Sequence, residues 1–124
     1  MTFQWGEFLE TARFLHIQGK TNSTPQEAAY RSSISRAYYA AFCHSRCYAS
    51  ARLQYIPLGN EKDHKILRVH LTRHGMQKES QTLDRLRQWR NHCDYDNPTA
   101  TATEITVQTA ITQADLIISS LHLP

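Results

Sequence analysis

Between Pro25 and Pro57 the chain runs for 31 residues without a glycine or a proline. No other segment is free of breakers for so long, and its residues repeat with a period near 3.6 rather than 2. Its start is signalled by Thr24 as N-cap, Pro25 at the first helical position and Glu27 at the third, a capping box. A helix of about 30 residues follows, ending around Tyr55-Ile56-Pro57-Leu58-Gly59-Asn60. Steps of 100° divide it into two seams. One carries Tyr30, Ile34, Ala37, Tyr38, Ala41 and Tyr48, a packing face; the other carries Ser32, Ser35, Arg36, Tyr39, Cys43 and Arg46 and is polar and cationic.

The remaining segments read the same way. Trp5, Phe8, Leu9, Ala12, Phe14 and Leu15 give a first helix over residues 3–18, with Gly19 in the place of a C-terminal cap. Ile66, Leu67, Val69, His70 and Leu71 give a third over 63–73, stopped at His74-Gly75. Ser80 is a candidate cap for a fourth, carried by Leu83, Leu86 and Trp89 to Cys93 and ended by Asp96-Asn97-Pro98. Thr101 and Glu104 form a second capping box before Ile105, Ala110, Ile111, Ala114, Ile117, Ile118 and Leu121. No segment alternates like a strand. The expectation is one all-α domain over residues 1–124, an up-and-down bundle of four to five helices with short connections.

Composition removes several classes. No apolar run reaches the roughly 20 residues of a membrane span. The first residues lack a basic segment followed by an apolar one, so no secretory signal is expected. Three cysteines, Cys43, Cys47 and Cys93, are an odd number and fit a reducing cytoplasm better than a disulfide framework. The net charge of +3 conceals an asymmetry: all 14 basic residues precede residue 91, where seven acids leave +7, while residues 91–124 hold four acids and no Lys or Arg. Ten of the basic residues are Arg, whose planar fork suits phosphate.

Two segments carry a family resemblance. Ser35-Arg36-Ala37-Tyr38-Tyr39-Ala40-Ala41-Phe42 resembles the Ser-Arg-x-Tyr-Tyr-x-x-Phe signature in the long second helix of HEPN domains, particularly the small stand-alone prokaryotic ones. Leu86-Arg87-Gln88-Trp89-Arg90-Asn91-His92-Cys93-Asp94-Tyr95-Asp96 resembles their Leu-Arg-x-x-Arg-Asn-x-Ala-Asp-Tyr segment, and Asp63-His64-Lys65 the His-containing start of their third helix. The resemblance implies a helical bundle that pairs into a homodimer. It also implies metal-independent RNA cleavage in a toxin–antitoxin or antiviral defence system. An Arg-polar pair would hold the scissile phosphate, and a His separated from the Arg by four to six residues would move a proton.

On that scheme Arg90 and Asn91 are the Arg-polar pair. The positions where the His would fall are Tyr95, Asp96 and Asn97, none of them His. Arg87 and Arg85 have four and six residues between them and His92, so His92 is the candidate proton carrier, with Tyr95 as a group that could donate a proton, stack on a base or close the core. Arg36, Tyr39, Arg85 and Arg87 are candidates for RNA phosphate contact, Arg36 alternatively for an ion pair with Asp94. Some family toxins are modified by a nucleotidyltransferase-type antitoxin, so such a partner is implied for Tyr95. A second reading is a non-catalytic module binding nucleotide, RNA or a partner protein. No cofactor is expected. Neither His70 with His74 nor Cys43 with Cys47 supplies a full metal ligand set, so no metal is expected.

Overall fold

A computed structural model describes residues 3–95 and 102–123; for Tyr95 only the backbone is included. Five helices pack together: α1 (Glu7–Lys20), α2 (Gln26–Arg52), α3 (Asp63–Arg73), α4 (Gln77–Tyr95) and α5 (Glu104–Ser120). No strand occurs among the described residues, so the chain is an all-α bundle. The helix α2 is its axis and touches each of the other four. The small residues Ala37, Ala40, Ala41 and Ala49 let neighbouring helices approach α2 closely, and Ile34, Tyr38 and Phe42 fill the space between.

The packing face expected for α2 is buried from Tyr30 to Ala41, with Tyr48 half-buried. The expected apolar faces of the shorter helices are too wide. Leu9 and Ala12 are buried but Phe14 is exposed; Leu67 and Leu71 are buried but Ile66 and Val69 are exposed; Ile105 faces solvent while Val107 takes the core position. A short helix laid on one neighbour buries a narrow stripe, and the flanking apolar residues stay outside it.

The end signals were partly redirected. Gly19 lies inside α1, not beyond it, and left-handed Asn22 (φ 58°) turns the chain instead. A Cβ on Gly19 would sit 2.8 Å from the ring of buried Tyr30, so this glycine serves close packing. No side chain caps α2, and Pro25 takes the cap position. Glu27 reaches across the bundle instead, where its carboxylate accepts the Ala102 N–H at 3.0 Å and faces Arg31 at 3.8 Å. Ser80 does not open α4, which begins at Gln77; its hydroxyl donates to the Arg68 carbonyl at 3.0 Å and ties α4 to α3. The cap of α5 is Thr103, whose hydroxyl accepts the Thr106 N–H at 3.2 Å. Thr101 and Asp96-Asn97-Pro98 lie outside the described residues.

Candidate functional site

The connection from α2 to α3 sets up the site. Asp63, 1% exposed at the first turn of α3, accepts the Tyr55 hydroxyl at 2.5 Å and the Leu58 and Gly59 N–H groups at 2.9 Å. Burial pushes the Asp63 carboxyl up, but these donors and the charge of Arg46 outweigh it and hold the group below the usual carboxylate range. Burial, then the bond to Asp63 and its negative charge, push the Tyr55 phenol up. The loop is thereby fastened to the N-terminal end of α3, and the next residue is His64.

His64 is half-buried between α2 and α4. Its ring stacks on Phe42 with centroids 4.1 Å apart, and its Nδ1 shares a short hydrogen bond with the Tyr38 hydroxyl. Nε2 has no hydrogen-bond partner among the described residues. Three guanidiniums surround the pair. Arg90 lies over the Tyr38 ring at 5.3 Å, Arg68 donates to the His64 carbonyl at 2.9 Å and faces Asp84 at 3.5 Å, and Arg87 approaches from α4. Burial, then the charges of Arg87, Arg90 and Arg68, lower the His64 pKa to about 4 against the opposing pull of Asp63. The imidazole is therefore neutral at neutral pH. Burial likewise pushes the Tyr38 phenol up, so it stays protonated beside three cations.

Arg87 is the unusual member. Its guanidinium meets no carboxylate and no hydrogen-bond acceptor among the described residues, and its Nε is buried without a partner. A buried donor left unmet costs about 1–3 kcal/mol, and more for a charged group. The arrangement is a ready acceptor site for an anion. An open groove beside α3 is lined by Lys62, Lys65, Ile66, Val69 and Arg73 together with Arg87, and by one acid, Glu61.

The other sequence candidates are distributed around the bundle. Arg36 does not pair with Asp94: its guanidinium stacks between Phe8 at 5.3 Å and Tyr39 at 5.4 Å, and Asp94 accepts the Ser35 hydroxyl at 3.0 Å. Arg46 stands over Trp5 and Phe42. The aromatic residues preceding and opening α1 thus cover the cationic seam of α2, which reduces it as a wall of any cleft. The helical period separates His92 from Arg90: His92 lines a groove with Arg31, Ile34, Trp89, Cys93, Ala102 and Thr106, on the α5 side. Arg85 is exposed and Asn91 half-buried, while Tyr95 closes α4 with its side chain outside the described residues.

Arg87 and Arg90 are thus brought together, and with them a histidine that the Arg-to-His spacing does not select. The signal for His64 was its place in the Asp63-His64-Lys65 segment, at the start of α3.

The His70 and His74 rings approach at 4.4 Å with their planes tilted by 36°, yet each is hydrogen-bonded to a backbone carbonyl, of Leu53 and His70 respectively. Among the described residues no three His, Cys, Asp or Glu side chains converge as metal ligands. No helix among them is long and apolar enough to cross a membrane.

No family model, curated protein or solved structure matches the chain.

Proposed function

We propose that this chain binds RNA through the cluster of Arg68, Arg87 and Arg90 and cleaves its backbone without a metal ion, as a HEPN-type endoribonuclease. The observation that carries the reading is the Arg87 guanidinium, half-buried beside Arg90 and meeting no acceptor of the protein. A phosphodiester supplies what it lacks: negative charge and oxygens in the geometry of the Arg fork. The basic groove along α3 extends the same attraction beyond one phosphate. The family resemblance of the α2 and α4 segments points to the same chemistry, to a homodimer and to a role in the cytoplasm within a toxin–antitoxin or defence system.

The test is incubation of the purified protein with single-stranded RNA in EDTA. The expected result is cleavage to fragments ending in 2′,3′-cyclic phosphate, falling roughly a hundredfold or more in Arg87→Ala and Arg90→Ala. Cleavage at equal rates by wild type and both variants would overturn the reading.

One observation favours a second reading. His92, the histidine nearest Arg90 in sequence, faces a different groove. A chain without a proton carrier at the Arg cluster would be a non-catalytic module holding RNA, nucleotide or a nucleotidyltransferase partner. Salt-sensitive RNA binding with no turnover would establish it.

A further inference from the structure

The Arg cluster and the Tyr38–His64 pair form one unit from three helices. Tyr38 comes from α2, His64 and Arg68 from α3, Arg87 and Arg90 from α4. Phe42 fixes the plane of the imidazole by stacking, and Tyr38 fixes its rotation by binding Nδ1. The ring is therefore held rigidly with Nε2 as its uncommitted nitrogen.

We propose that His64 is the proton donor of this site: a phosphodiester seated among Arg68, Arg87 and Arg90 lets Nε2 take up a proton, and that proton passes to the leaving oxygen. The inference rests on the phosphate-binding reading given above and adds a residue which the Arg-to-His spacing does not select. In the empty site a fourth positive charge is opposed by Arg68 and by Arg87 and Arg90 across the helix interface. Asp63 acts in the other direction, Asp84 faces Arg68 at 3.5 Å, and Tyr38 and the nearby Cys43 thiol are both kept neutral by burial. A bound phosphodiester brings one negative charge into this field and offsets one of the three cations. The imidazolium then donates from Nδ1 to the Tyr38 oxygen and from Nε2 toward the ligand.

The step balances without a cofactor. The ribose 2′-hydroxyl loses its proton to water as its oxygen bonds to phosphorus. The bond from phosphorus to the 5′ oxygen breaks, and that oxygen leaves with the Nε2 proton of His64. The products are a 2′,3′-cyclic phosphate and a 5′-hydroxyl, and His64 regains a proton from solvent once the next phosphodiester binds.

Proton uptake and anion binding are linked, so the inference has a readout apart from turnover. The probe is a six-residue oligothymidylate, which has no 2′-hydroxyl to attack and carries a constant charge per phosphodiester above pH 4. The His64 ring resonance, identified by its absence in His64→Gln, is followed by NMR from pH 4.5 to 8 with and without the probe, and binding is measured separately by fluorescence anisotropy. A unit charge about 5 Å from the ring, at the effective dielectric of a protein surface, moves its midpoint by about two pH units. The expected result is a ring whose midpoint lies below this range in free protein and near pH 6 with the probe bound, with the upward move lost in Arg87→Ala. Binding of the probe with an unmoved midpoint overturns the role of His64 and leaves the phosphate-binding reading standing. Absence of binding, or equal binding by wild type and Arg87→Ala, overturns that reading and this inference with it. On RNA, the cleavage rate of wild type is expected to fall on the alkaline side of the bound midpoint, and His64→Gln to be slow and to lack that fall. Equal rates in both proteins would also overturn the inference.

Discussion

Replacing Asp63 by Asn exchanges one atom and removes one charge, at the point where the α2–α3 loop is fastened beside the site. The Asp63 carboxylate is 1% exposed and receives three hydrogen bonds, two on Oδ1 from Tyr55 and Leu58 and one on Oδ2 from Gly59. In Asp63→Asn the amide oxygen still accepts from Tyr55 and Leu58, but as a neutral acceptor. The amide nitrogen then faces the Gly59 N–H, donor against donor. Leaving a buried donor unmet costs about 1–3 kcal/mol, and weakening two charge-assisted bonds to neutral ones about 0.5–1 kcal/mol each. The expected loss is about 3 kcal/mol, a large share of the stability of a domain this size. Urea unfolding followed by far-ultraviolet circular dichroism at neutral pH measures it, with both proteins compared at similar m values. Because the folded carboxyl is held below its ordinary range, its contribution is complete above the unfolded pKa and is lost as the pH falls through the folded one. The gap between wild type and variant is therefore expected to narrow below about pH 4. A loss under 1 kcal/mol, or a gap that stays constant in acid, would refute this account of the loop.

Gly19→Ala is expected to destabilise by about 1 kcal/mol, although alanine is the better helix former. The added Cβ meets the buried ring of Tyr30 at 2.8 Å, and overpacking of this kind outweighs the propensity gain; thermal unfolding with a raised midpoint would contradict it. Leu67→Ala, at a fully buried core position of α3, is expected to cost about 2–5 kcal/mol with RNA binding preserved at temperatures where it stays folded. A cost under 1 kcal/mol would mean that α3 is not packed into the core at this position. Thr103→Ala removes the hydroxyl cap of α5 and is expected to cost about 1 kcal/mol in the same assay, an unchanged midpoint counting against the cap.

The long second helix was legible because its period holds without interruption from Gln26 to Arg52. The 100° step found most of its packing face, but a helix surrounded by four others also buries Ser35 and Cys43 of the seam read as polar, and Phe42, His44 and Ser45 besides. The short helices were legible in existence and less so in face, since Phe14, Ile66, Val69 and Ile105 satisfy the period and still point outward. Local signals such as Glu27 and Ser80 were misread for one reason. A side chain that can cap its own helix can equally bond a neighbouring one, and only the packing decides. At the candidate site, the sequence pattern selected Arg87 and Arg90 but joined them to His92, which the helical period turns to another groove. The histidine beside the arginines comes from α3, and no spacing within α4 could express that.

The central claim is that Arg87 holds a backbone phosphate of RNA. The most direct measurement is the affinity for a single-stranded RNA of about ten residues as a function of salt, for wild type and Arg87→Ala. Each phosphate contact contributes a slope of about −0.7 in a plot of log affinity against log salt for a single strand. The account predicts weaker binding by Arg87→Ala with a slope shallower by about 0.7, whereas an unchanged slope and affinity would contradict it.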